Sequence, residues 1–390
     1  MKNLVFILSF FLVCSVYGQF PGPPRKPGKV KPEKATHAAV TTSKKSGSND
    51  HVALVRVLKS WGYVDKTGNY TINPQFENAK PFSGGFARVK SMRDWGYIDM
   101  SGSYVINPQF ERAEDFSEGL ARVVKFKQWG YIEKSGTFAI NPQFNDAEDF
   151  HGGLARVKKG VHWGIIDNKG VIVVNPQFTE LGEFSNGLAR ARIGLDWGYI
   201  DESGKWKINP QFGDAENFSG DFARVKKGTQ WGYIDRTGTY VINPQFEAAG
   251  DFSGGFARAK KMHQWGYIDK KGTWSINPQF DDAGDFSDGL ARVRKGKEWG
   301  YIESSGSYSI NPQFDNAEDF RDGVARVRKG TQWGFIGKKG VYTINPQFDN
   351  AGDFANGFSR VRKGIKWGFI NESGNLVINC MFNEAEDFSK

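Results

Sequence analysis

Apolar and polar positions alternate at a period of two through three short runs of the segment Leu120–Gly153. Leu120-Ala121-Arg122-Val123 sets large side chains against small ones, Trp129-Gly130-Tyr131-Ile132 is aromatic and β-branched, and Phe138-Ala139-Ile140-Asn141 repeats the alternation. Each run is too short for a helix and reads as a strand. Lys125–Gln128 is polar, holds Lys-Gly in other copies, and predicts a tight turn. Glu133-Lys134-Ser135-Gly136 opens on an acceptor side chain and closes on Gly, the residue types a reverse turn favours. Pro142 has no amide hydrogen and is expected to end the third strand. Asn145–Gly153 then reads as a connecting loop anchored by Phe144 and Phe150. Strands joined by such short turns predict a three-stranded antiparallel meander.

The same pattern recurs ten times. Trp-Gly stands at ten positions from Trp61-Gly62 to Trp367-Gly368, each 34 residues after the last, without insertion or deletion. A fixed period of this length means an array of like units, none of which buries its apolar face alone. Helical repeats of similar length are excluded by the Gly content and the Pro within each unit, which would cost roughly 1 and 3 kcal/mol per interior site. The column Thr71, Val105, Ala139, Val173 and Lys207 tolerates charge and is expected to face solvent, while its neighbours stay apolar. Gly after Trp is expected to admit a close backbone or ring. The fold predicted for residues 51–390 is all-β, a tandem array of ten three-stranded antiparallel meander units in an open solenoid or superhelical stack. A closed propeller-like ring is the alternative. The open form is suggested by atypical end copies: Leu54 stands where nine copies carry Arg, and Cys380-Met381 replaces Pro-Gln.

Trp-Gly-Tyr-Ile-Asp, followed by Ile-Asn-Pro-Gln-Phe and Asp-Phe-Ser-x-Gly, resembles the WG-containing or KWG repeat family, and Lys366-Trp367-Gly368 is a literal instance of the latter name. The resemblance implies a β-rich tandem repeat in proteins that are often exported or surface-associated. It implies no reaction or ligand and transfers no functional residue.

The first fifty residues differ. Lys2, the apolar Leu4–Val16 and the small-residue exit at Val16-Tyr17-Gly18 read as a signal peptide over residues 1–18, too short to span a membrane. Residues 19–50 are rich in Pro and Lys, nearly devoid of large apolar side chains, and read as a disordered leader. The expected location is secreted or extracellular, meaning periplasm or cell surface in a bacterium. The chain carries a formal charge of +9, but the array holds 44 basic against 41 acidic residues, so the excess lies largely in the leader. A nearly neutral array argues against a nucleic-acid partner. With Cys14 in the signal segment, Cys380 has no partner in its own chain, and it either links two chains or stays a buried free thiol.

Candidate chemistry recurs once per unit instead of meeting at one place. No nucleophile elbow, phosphate loop or metal-ligand spacing stands out, so no enzyme, cofactor or metal is expected. The turn acids from Asp65 to Glu303 read as turn-forming acceptors, with weak calcium sites as the functional alternative. The Arg column, with Arg122, Arg224 and Arg292, is expected to pair with loop acids such as Asp149, Asp251 and Asp319 between repeats, or to form an anion-binding stripe. The column of Tyr104, Trp206, Tyr240, Trp274 and Tyr308 is expected either to fill the core or to offer a platform for sugar rings or a partner protein. Asn69, Asn217 and Asn371 fit the glycan acceptor pattern. The function expected is an exported non-enzymatic repeat scaffold or interaction protein with a multivalent surface, capable of homo-assembly, with protein or glycan partners at a cell surface or matrix. The alternative is a carbohydrate-binding, lectin-like protein of the surface or matrix.

Overall fold

The computed structural model describes residues 51–390; the expected signal peptide and leader lie outside them. Every element among the described residues is a strand. In the third sheet the Arg strand is Leu120–Lys125, the Trp strand Gln128–Glu133 and the Pro strand Phe138–Phe144. The three pair antiparallel in that order, as the alternation predicts. The charge-tolerant column is exposed, as at Thr71, Ala139 and Lys207.

Pro142 does not end its strand. The register runs Trp129 opposite Phe144 and Tyr131 opposite Ile140, so Asn141-Pro142-Gln143 bows out opposite the single residue Gly130. A bulge leaves its extra residues outside the ladder, so a missing amide hydrogen costs nothing there. Gly130 is the other half of this arrangement. A Cβ on it would lie 2.6 Å from the Ile140 carbonyl oxygen and 2.7 Å from the Pro142 nitrogen. Trp-Gly and Asn-Pro-Gln-Phe are therefore one structural device, and the close approach expected at this Gly is made by backbone.

The meander is also not three-stranded. Each sheet has a fourth strand, drawn from the segment read as a loop. Asp146–Ala147 pairs with Lys158 and Val157 of the next Arg strand, and the equivalent two-residue strand recurs in most sheets. Each 34-residue unit thus gives three strands to one sheet and a short strand to the next.

This offset closes the molecule. Among the described residues no short strand precedes the first Arg strand, Val52–Val57, and Glu384–Ser389 supplies one: Val52 lies opposite Ser389, Ala53 opposite Phe388 and Val55 opposite Ala385. The result is ten four-stranded antiparallel sheets in a ring, a ten-bladed β-propeller. The open stack is overturned and the closed ring holds. With the blades numbered 1 to 10 in order of their Trp strands, from Ser60–Val64 to Lys366–Asn371, ten cores occupy the ten blade interfaces. Tyr63, Ile72 and Phe76 pack on Ala79, Phe82, Ala87 and Val89 between blades 1 and 2. Phe369, Ile378 and Phe382 pack in the same way on Ala385, Phe388, Ala53 and Val55 between blades 10 and 1. Among the described residues no blade leaves its apolar face without a neighbour, so Leu54 and Cys380-Met381 are not caps, and assembly through unpaired array ends loses its basis.

Leu54 has a local explanation. In the other blades this position is the Arg that reaches acids of the next blade, at Glu114 and Asp115 for Arg88. Opposite Leu54 those two places hold Lys80 and Pro81. Leu54, 1% exposed, joins the core with Phe82 instead. Both halves of one ion-pair site have changed together.

Candidate functional site

Antiparallel strands put all ten Arg–Trp hairpins at one end of the ring and the Asp-x-x-Gly turns at the other. Three of the repeated columns are consumed structurally, two between blades and one within its own turn. Arg122 is the pattern for the first. Its Nε donates to Asp149 Oδ1 at 2.8 Å and its Nη1 to the Ala147 carbonyl, both from blade 4's side of the interface. Its guanidinium also stands 5.3 Å from the Trp129 ring centre. Burial works to lower the Arg122 pKa, but the charges of Asp149 and Glu148 outweigh it and the net shift is upward. Arg224 pairs with Asp251 and Arg292 with Asp319, each at 2.8 Å. The expected inter-repeat ladder is present, and the cations proposed as an anion stripe are turned into it.

The Tyr beside Trp-Gly is the second such column. Tyr131 is 1% exposed, and its hydroxyl donates to the Glu148 carbonyl across the blade interface at 2.7 Å. Tyr97, Tyr199, Tyr233, Tyr267 and Tyr301 repeat this bond. Burial pushes all these phenols well above their ordinary pKa. The turn acids form the third. Asp201 Oδ1 accepts from the Ser203 amide, the Ser203 hydroxyl and the Lys205 amide, and the Ser203 hydroxyl bond leads in holding this carboxyl down at about 2. These oxygens are spent on their own turns. Among the described residues no group of three or more His, Cys, Asp or Glu is placed to hold a metal ion.

The aromatic column stays partly open. Tyr104, Trp206, Tyr240, Trp274 and Tyr308 each open a Pro strand and stand edge-on to a Phe of the preceding blade, as Trp206 does to Phe178 at 5.6 Å and 87°. Tyr104 is 43% and Tyr308 39% exposed, while Trp206, Tyr240 and Trp274 are half-buried. With Tyr342 they give blades 5–9 an unbroken run of aromatic side chains at one strand position. A shallow recess between blades 4 and 5, lined by Asp149, His151, Arg156, Glu183 and Glu202, was not foreseen because its residues come from different repeat columns.

The hairpin tips were missed as well. Six copies carry Gly at the first turn position, all with positive φ, such as Gly160 at +63° and Gly296 at +64°. Leu58, Met92, Phe126 and Met262 hold the same left-handed backbone, with φ of 54°, 57°, 55° and 51°. The sequence signal was four apolar residues in a column that otherwise reads Gly.

The WG containing repeat matches residues 61–91, 95–125, 129–160, 163–194, 197–228, 231–261, 265–299, 299–330, 333–367 and 367–390. The chain belongs to the WG containing repeat family. Its namesake residues are structural here: Trp carries the Arg and Gly admits the bulge. None of the curated proteins matches this WG repeat chain. Among solved structures it is similar to a eukaryotic initiation factor at 12% identity and a TM-score of 0.48, covering 76% of this chain and 95% of that one. It is also similar to PorZ, described as a bacterial surface component of the type-IX secretion system of Porphyromonas gingivalis, at 10% identity and a TM-score of 0.26, over 84% of this chain and 51% of that one. Hsv2p of Kluyveromyces lactis is similar at 11% identity and a TM-score of 0.32, over 58% and 92%. Likeness at these levels carries no functional argument. Among the described residues no helix is long and apolar enough to cross a membrane, which says nothing of strands.

Proposed function

We propose that this WG repeat propeller is an exported, non-enzymatic interaction platform whose blades make weak, repeated contacts with a repetitive partner. The observation that carries this reading is the use of the repeated ionisable groups: Arg, Asp and Tyr each recur blade by blade and are engaged between blades. Catalysis asks for one place where differently tuned groups meet. A ring of near-equal surfaces favours gain by effective concentration instead. Export rests on the sequence of Met1–Gly18. The test is binding to arrayed glycans and peptides at graded surface density. Binding should rise steeply with density and fall stepwise as one, two and three blades are altered. Turnover or binding abolished by one substitution in one blade would sink the reading.

A carbohydrate ligand is the second reading, favoured by the run of half-open rings from Trp206 to Tyr342, since an aromatic face is a natural seat for a sugar ring. Trp206→Ala with Trp274→Ala should then erase the glycan signal; an unchanged signal in that variant removes this reading.

A further inference from the structure

The Arg–Trp hairpins carry an unusual pair of properties. Every large apolar side chain of the described residues that is at least 70% exposed sits in them: Leu58, Met92, Phe126, Val161, Leu195, Met262 and Ile365. A tight hairpin tip is expected to be polar or Gly, and a Gly at its first position removes the strain of a left-handed backbone. Leu58, Met92 and Phe126 accept that strain and project an apolar group into water. Strain kept at one position in successive repeats points to use of the side chain.

The tips are also grouped. Ring closure sets blade 10 beside blade 1, so Ile365, Leu58, Met92, Phe126, Val161 and Leu195 belong to six consecutive blades, 10 through 5. Blades 6, 8 and 9 carry Gly with Thr or Lys there, at Gly228-Thr229, Gly296-Lys297 and Gly330-Thr331. Along the apolar arc an exposed cation stands beside or two residues from the tip: Lys363, Lys59, Arg93, Lys127 and Lys159. Two nearby acceptors are engaged by the tips themselves, as Asn383 Oδ1 takes the Leu58 amide and Glu111 Oε1 the Lys127 amide, while Asp196 beside Leu195 is exposed.

We infer that this end of the ring docks on an anionic lipid bilayer, the apolar tips entering the headgroup boundary and the flanking cations meeting lipid phosphates. All the tips emerge from one end, they project singly, and cations alternate with them. That is the composition of an interfacial membrane anchor, in which apolar insertion and attraction to anionic lipid add. An acidic protein or polymer would use the cations but not separate apolar points that protrude from their own blades.

The test is co-sedimentation of the full chain with vesicles of phosphatidylcholine containing about one third phosphatidylglycerol, and with phosphatidylcholine alone. The parent is expected to bind the anionic vesicles, more weakly at high salt, and to ignore the neutral ones. Leu58→Gly, Met92→Gly and Phe126→Gly together install what other blades already carry, so folding is not put at risk. This triple variant should bind anionic vesicles at least tenfold more weakly with an unchanged or raised melting temperature. The basic leader is common to both proteins and cancels from the comparison. Failure of the parent to bind anionic vesicles, equal binding by parent and variant, or equal binding to neutral vesicles would each overturn the inference. So would tight binding of soluble polyglutamate with no vesicle binding, which would point to an acidic macromolecule.

Discussion

Arg122 of one blade and Asp149 beside the next meet at 2.8 Å, and the same guanidinium donates to the Ala147 carbonyl. Nine blades carry this Arg; where it is Leu54 the facing positions are Lys80 and Pro81. Arg122→Leu leaves a carboxylate and a carbonyl at a half-buried interface without their donor. The expected loss is about 2 kcal/mol, read from urea denaturation. The reverse change is informative too. Leu54→Arg restores the repeat consensus yet should destabilise, because no acid faces it; a gain in stability there would show that the paired acid is not what the Arg requires.

Gly130→Ala should cost about 3 kcal/mol or more, because the new methyl meets three backbone atoms inside 3 Å and backbone cannot swing aside as a side chain can. The same change at Gly152, whose position is open but left-handed, should cost only about 1 kcal/mol. Equal melting shifts for the two variants would contradict the bulge geometry.

Ending the chain at Asn383 removes Glu384–Ser389 and opens the ring. The exposed edge of Val52–Val57 is then a template for another chain. The truncated protein should lose several kcal/mol of stability, since Ala385 and Phe388 leave the tenth core, and should associate in light scattering. A monodisperse product as stable as the parent would mean that the ring is not closed by this strand.

Stability should fall steeply in alkali. Burial raises the pKa of Tyr63, Tyr97, Tyr131, Tyr199, Tyr233, Tyr267 and Tyr301 above the ordinary value of 10.0. Below pH 10 both states hold these protons and the full contribution is present. Above it the unfolded chain releases them first, so unfolding gains with each unit of pH. Circular dichroism melts between pH 9 and 11.5 should show the melting temperature dropping beyond pH 10, together with delayed phenolate absorbance. A flat profile would be inconsistent with seven buried hydroxyl donors.

Much of this was legible in the sequence for a physical reason: a ten-fold repeat reports which columns tolerate change. Lys207 marked the solvent face, Arg122 and Asp149 marked the ladder, and Gly130 marked a close approach. The fourth strand was not legible, because Asp146–Ala147 is two residues with no alternation to detect. Pro142 misled because a proline ends a strand only where its amide is required. Closure was missed because it depends on the angle between blades, which no local pattern carries. Leu54 and Cys380-Met381 then passed for caps, although compensation by Lys80 and Pro81 was visible in the sequence. The aromatic column could be singled out in the sequence; the tips were not, since Lys125–Gln128 was read as a polar turn and the apolar Leu58, Met92 and Phe126 stand out only once the backbone shows them left-handed.

The pairing of Val52 with Ser389 has a mechanical corollary. Both strands leave the joint at the same end, so a load applied through residues 52 and 389 peels the rungs one after another, as a zip opens, and does not shear them all at once. The joint that completes ten equal interfaces is thereby the weak link under tension, and a force ramp in an optical trap should register its first rip there, at low load, before any other blade yields.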